Sequence, residues 1–183
     1  MYDLYLKFRN LLRYIEDVAP LLLRLLVAYV FYTTALEKLS SIDGTAYWFE
    51  NLGVPFPTLN AYLAALTETA GFVLLTLGLG TRLISIPLIF VLLVALFTVH
   101  IDNGWLVIGS SGHDPEIASR INMAREILKE YGNYDWLTAK GSFVILQNGM
   151  ENVVTYISML LALIVYGPGR ISVDALIEKK LKK

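Results

Sequence analysis

Apolar positions gather into four long runs, at residues 21–36, 59–79, 83–101 and about 150–166, with polar stretches between them. Each run approaches the ~20 residues that cross ~30 Å of hydrocarbon at about 1.5 Å per residue. The first and last are slightly short, so flanking side chains must snorkel or the bilayer must thin. Inside lipid every backbone polar group needs an internal partner, and helices supply one. The pattern therefore predicts an all-α integral membrane protein built as an antiparallel four-helix bundle with amphipathic surface helices. Gly78 and Gly80 close the second run, and Thr81-Arg82 leaves a very short turn into the third, which forces antiparallel neighbours. Pro87 sits early in the third run, where a missing N–H is tolerated.

The flanks carry their own pattern. Over residues 1–17, Leu4, Phe8, Leu11, Leu12 and Ile15 recur at helical spacing, with Lys7, Arg9 and Arg13 off that face. Two readings stand: a helix lying on the membrane surface, or an end that packs on the bundle. Gly53-Val54-Pro55-Phe56-Pro57 breaks any helix before the second run. Residues 102–149 form an insertion too long for a simple connector. Within it Asp114 is placed to cap a helix that has Pro115 at its first position and Glu116 in its first turn. Ile117, Ile121, Ala124, Leu128 and Tyr131 make its apolar stripe, and Gly132-Asn133 stops it. This is an interfacial or lid helix, flanked by Trp105 and Trp136, which suit the headgroup region. The chain reads as one domain, with residues 1–20 interfacial and 102–149 extracytoplasmic.

Composition strengthens this picture. Of 183 residues, 56% are hydrophobic and 17% charged, against roughly 25% charged in soluble proteins. The basic residues set the orientation: Lys7, Arg9, Arg13, Arg82, Arg170, Lys179, Lys180, Lys182 and Lys183 fall on one side. Lys38, Arg120, Arg125, Lys129 and Lys140 fall on the other, diluted by acids. The positive-inside rule places both termini in the cytoplasm of a multi-pass protein of the inner (plasma) membrane. Residues 1–17 mix acids and bases with no small-residue cleavage site after the first run, so no cleavable signal peptide is expected. A net charge of -1 offers no attraction for nucleic acid. Without cysteine there is no thiolate metal site, no CxxC redox pair and no cysteine nucleophile, so in redox chemistry a bound cofactor or a partner must carry the electrons. No internal repeat, dinucleotide fingerprint, Walker loop or HExxH motif is present.

The candidate chemistry lies in ionisable residues within or beside the runs, since a charge inside a crossing costs at least ~2.5–3.5 kcal/mol on insertion scales. Arg24 sits one turn into the first run, either snorkelling to phosphate or pairing with an acid or anionic ligand. Glu37 and Lys38 end that run, either as a local pair or as part of a site. Glu68 stands near the middle of the second run and is too short to snorkel. It must face the interior, be protonated, or pair with Arg24 or Lys38. His100 ends the third run and Glu151 begins the fourth. Antiparallel threading brings Glu37, Lys38, His100 and Glu151 to the outer leaflet with Glu68 beneath them. Two carboxylates and an imidazole suit a divalent metal, with Glu68 and His100 as ligands, or proton exchange with a bound quinone.

Several segments together resemble the DoxX family of small four-helix membrane proteins. They are Leu22-Leu23-Arg24-Leu25-Leu26, Glu37-Lys38-Leu39, Trp48 through Pro57, Thr67-Glu68, Leu77-Gly78-Leu79-Gly80-Thr81-Arg82-Leu83, Phe97-Thr98-Val99-His100 and Gly167-Pro168-Gly169-Arg170-Ile171-Ser172-Val173-Asp174. Leu59-Asn60-Ala61-Tyr62, Ile86-Pro87 and Gly132-Asn133-Tyr134-Asp135-Trp136-Leu137 are most similar to members associated with copper-binding ribosomal peptide maturation systems. That resemblance implies an accessory role in metal, oxidative or sulfur stress. Other members resemble subunits of membrane quinone-linked oxidoreductases of the thiosulfate:quinone type. A carrier of modified peptide or lipid, and an anchor for partner proteins, are further readings. Small bundles often associate, so a homo-oligomer is also open, although no clear small-xxx-small interface is present.

Overall fold

The computed structural model describes residues 2–12, 15–109, 112 and 114–182. Met1, Arg13 and Lys183, which enter the expectations above, lie outside the described residues. The chain divides into two compact units: residues 1–94 with 155–183, and residues 95–154.

The first unit is helical throughout its ordered elements. α1 (Tyr2–Leu12) precedes α2 (Val18–Ser40), α3 (Ile42–Asn51), α4 (Pro57–Leu77) and α5 (Thr81–Ala95). Three helical stretches, Val18–Ser40, Pro57–Leu77 and Thr81–Asn103, are long and apolar enough to cross a membrane. Most of their large apolar side chains are exposed, as lipid-facing surface must be. The protein is therefore embedded in a bilayer. A fourth apolar helix, α8 (Glu151–Tyr166), is shorter, at 16 residues.

The seam between α2 and α4 organises this unit. On α2 the buried positions are Arg24, Val27, Ala28, Phe31 and Ala35. On α4 they are Ala61, Ala64, Ala65, Glu68, Gly71 and Leu75. Both sets recur every three or four residues, with Val27–Ala28 and Ala64–Ala65 as adjacent pairs, the spacing that keeps one face on a neighbouring helix. Small residues on α4 allow close approach where lipid provides no hydrophobic drive between helices. Gly71 shows why size matters: a Cβ there would lie 2.6 Å from Leu88 Cδ2 on α5. Tyr32 of α2 also meets Phe72 of α4, ring centroids 4.9 Å apart.

The turn from α4 to α5 is as tight as expected. Gly78 and Gly80 both adopt positive φ, +66° and +59°. Pro87 lies in the interior of α5, where it deletes one ladder hydrogen bond. α3 was not foreseen; it folds back against α4 and, less extensively, α2. Nor was α9 (Val173–Leu181), capped by Ser172, whose Oγ accepts from Ala175 N at 3.2 Å.

In the second unit the chain leaves α5 through a π-helical turn (Leu96–His100) and a 3-10 turn (Ile101–Asn103). A two-residue ribbon follows, β1 (Ile108–Gly109) antiparallel to β2 (Ile145–Leu146). The capped helix forms as α6 (Pro115–Tyr131): Asp114 Oδ1 accepts from Glu116 N at 2.8 Å and Ile117 N at 3.4 Å. Of its predicted stripe, Ile121 is buried and Ile117, Ala124 and Leu128 are half-buried, whereas Tyr131 is exposed. Tyr131 lies in the last turn, where Gly132 N closes on Leu128 O. α7 (Tyr134–Thr138) is an unforeseen short helix capped by Asn133.

Candidate functional site

Lys38 and Glu68 form the one ion pair between membrane-crossing helices among the described residues, with Nζ 3.0 Å from Oε2. The side chain of Glu68 is only 3% exposed and that of Lys38 17%. The pair is therefore a buried carboxylate met by an ammonium that stays partly open at its outer edge. One of three ammonium donors is used on Glu68. Glu37, one residue earlier, points to the exposed face of α2, and its carbonyl accepts from Ser40 Oγ.

Arg24 belongs to a different constellation at the opposite end of the seam. It is 1% exposed, so it does not snorkel. Its guanidinium donates to Leu75 O at 3.2 Å and to Ile171 O. Leu75 is in the last turn of α4, where its carbonyl also accepts from Gly78 N at 3.2 Å and lies at the negative end of the helix dipole. Across the same turn, the Asp174 carboxylate accepts from Gly80 N at 2.7 Å and Thr81 N at 3.1 Å, at the start of α5. A cation thus sits at the C-terminus of α4 and an anion at the N-terminus of α5. Nearby, Asp17 accepts from the backbone N and the Nε of Arg170, each at 2.7 Å. These bonds hold the Asp17 carboxyl below its usual range, the backbone N–H first and the guanidinium next. Sequence reading offered Arg24 a phosphate or a carboxylate. Its observed partners are backbone carbonyls, which leave no mark in a sequence.

His100 and Glu151 lie in the second unit. His100 Nδ1 is 2.8 Å from Asn148 O. A carbonyl only accepts, so Nδ1 carries the proton and Nε2 is the basic nitrogen. Asn148 has φ +60°, and a Cβ at Gly149 would collide with the backbone of Gly104 and Leu106. The Glu151 carboxylate lies 3.5 Å from Val107 N. Among the described residues no group of three or more His, Asp or Glu side chains is arranged to hold a metal ion.

Residues 19–101, which span all but the first residue of α2 through α5 and include the Lys38–Glu68 pair, match the family model described as DoxX. It is 32% identical over 83 residues to a protein of Bacillus subtilis (strain 168) named "Putative oxidoreductase CatD", covering 45% of this chain and 60% of the relative. It is 33% identical over 86 residues to "Inner membrane protein YphA" of Escherichia coli (strain K12), covering 44% of this chain and 61% of the relative. The chain thus spans about 60% of the length of these relatives. No solved structure matches.

Proposed function

We propose that this protein is an auxiliary membrane component of a redox system, in which Lys38 and Glu68 bind the polar head of a quinone and exchange protons with it. The observation that carries the reading is the buried Lys38–Glu68 pair itself. An ionisable couple inside a crossing is expensive and marks a substrate or proton site by default. The donor set fits such a head group: an ammonium directs hydrogen bonds and positive potential at a carbonyl or phenolate oxygen, and a carboxylate accepts and returns a proton. The quinone would exchange two electrons with a partner component of the redox system while Glu68 moves an accompanying proton; the chain has no cysteine to carry the electrons itself. The name of the Bacillus relative points the same way.

In this account α8 is a fourth, short crossing that completes an antiparallel bundle, with both termini in the cytoplasm and the protein in the inner membrane, as the basic residues favour. A divalent metal at Glu68 would have to displace the Lys38 ammonium. The copper-peptide and stress readings rest on sequence resemblance alone, and the cargo-carrier reading on the 102–149 insertion acting as a lid.

The test uses the full chain in lipid nanodiscs. Titration with a short-chain benzoquinone should quench tryptophan fluorescence saturably, and Glu68→Gln and Lys38→Met should each weaken binding at least tenfold. Wild-type-like titration of both variants, or stoichiometric metal in elemental analysis that Glu68→Gln removes, would overturn the proposal.

A further inference from the structure

Two helices of the first unit leave an apolar face uncovered. On α1, Leu4, Phe8 and Leu11 share one face, with Tyr5 and Leu12 beside it, and all five are exposed. On α9, Leu176, Ile177 and Leu181 are exposed in the same manner. Neither helix is long enough to cross a bilayer, at 11 and 9 residues.

Both are tethered to one place. Arg170 is bound to Asp17 through its backbone N and its guanidinium, and the guanidinium also reaches Glu16 at 3.1 Å. This bond sits at the start of the α2 crossing, so it marks the edge of the hydrocarbon. α1 ends five residues before Asp17, and α9 begins three residues after Arg170. At no more than ~3.6 Å per residue, neither helix can travel far from the bilayer surface.

Charge names the surface. Lys7, Arg9 and Lys179 flank the two apolar faces, Lys180 stands one turn after Leu176 on the same side of α9, and Arg82 lies at the same end of the unit. Among the described side chains, the acids nearby are already engaged: Glu16 and Asp17 by Arg170, Asp174 by two backbone N–H groups, and Glu178 by Lys182. Amphipathic helices with basic flanks lie in the interfacial plane and prefer anionic headgroups. We infer that α1 and α9 form an in-plane collar that seats this end of the protein on an anionic lipid leaflet, with Leu4, Phe8, Leu11, Leu176 and Ile177 among the acyl chains. The collar is independent of the Lys38–Glu68 reading. For the N-terminal segment it takes the membrane-surface reading of the two that the sequence leaves open.

The absence of native cysteine makes the test direct. Single substitutions Phe8→Cys, Leu176→Cys and, as a control on the polar face, Asn10→Cys receive a fluorophore in the full chain. The chain is reconstituted in vesicles of phosphatidylcholine alone or with one quarter phosphatidylglycerol. Labels at positions 8 and 176 should be quenched by lipid-borne nitroxide and shielded several-fold from aqueous iodide, whereas position 10 shows the reverse. Phosphatidylglycerol should increase the shielding, and replacing Lys7, Arg9, Lys179 and Lys180 by Gln should abolish that increase. Iodide access at positions 8 and 176 equal to that at position 10 would overturn the inference. So would shielding that comes from a second copy, seen as label–label coupling that persists in detergent, or shielding indifferent to phosphatidylglycerol.

Discussion

The guanidinium of Arg24 occupies the space that any side chain at position 78 would need. A Cβ built on Gly78 would overlap Arg24 Nη1 and lie 2.6 Å from Ser172 Cβ. Gly78 is therefore required twice, for its positive φ and for its bareness. The buried cation can reach the last turn of α4 only because nothing projects there.

This relationship makes Gly78→Ala a severe substitution. The left-handed backbone costs ~1–2 kcal/mol, and displacing Arg24 strands a buried donor at ~1–3 kcal/mol. Thermal unfolding in nanodiscs should show a loss of at least ~2 kcal/mol. By contrast, Gly53→Ala pays for backbone strain alone, because nothing lies within 4 Å of a Cβ there. Equal losses at the two positions would argue against the Arg24 lock.

Gly71 and Leu88 should behave as a coupled pair. Gly71→Ala pushes a methyl into Leu88 and should destabilise by ~1–3 kcal/mol. Leu88 is fully buried, so Leu88→Ala leaves a cavity and should cost ~2–5 kcal/mol. Together the two changes should cost less than their sum, because the new methyl fills space that the leucine vacates. A double-mutant cycle reads the coupling, and strict additivity would show that α4 and α5 do not meet there.

The Asp17–Arg170 bond predicts a particular acid response. The native Asp17 carboxyl is lowered by its hydrogen bonds to Arg170. A lowered carboxyl contributes stability above its unfolded value, ~3.9, and that contribution is lost as pH falls from there through the native value. Below pH ~4, wild type should therefore lose stability more steeply than Arg170→Gln, and the two should run parallel at neutral pH. Parallel curves throughout the acid range would contradict the assignment.

What was legible in the sequence follows from where the physical signal resides. Glu68 announces itself because a carboxylate amid apolar residues needs a local explanation, and the structure selects Lys38 from the two cations available to it. The Asp114 cap and the Gly78–Gly80 turn were legible because side-chain chemistry and glycine dictate them locally. Arg24 and His100 were visible as residues but not as interactions, since their acceptors are the carbonyls of Leu75, Ile171 and Asn148. α3 was hidden because Asp43-Gly44-Thr45 carries weak helix propensity and packing against α4 overrides it. α9 was hidden by its lysines, which read as a solvated tail.

The central claim is that Lys38 and Glu68 serve binding rather than folding. The double variant Lys38→Met/Glu68→Met separates the two, because replacing both members of a buried pair by apolar side chains is often neutral or stabilising, whereas removing one strands a charge. The decisive measurement is the benzoquinone affinity of this double variant, taken beside its thermal midpoint. The account predicts a midpoint at or above that of wild type with affinity reduced at least tenfold; wild-type affinity in the stable double variant would contradict it.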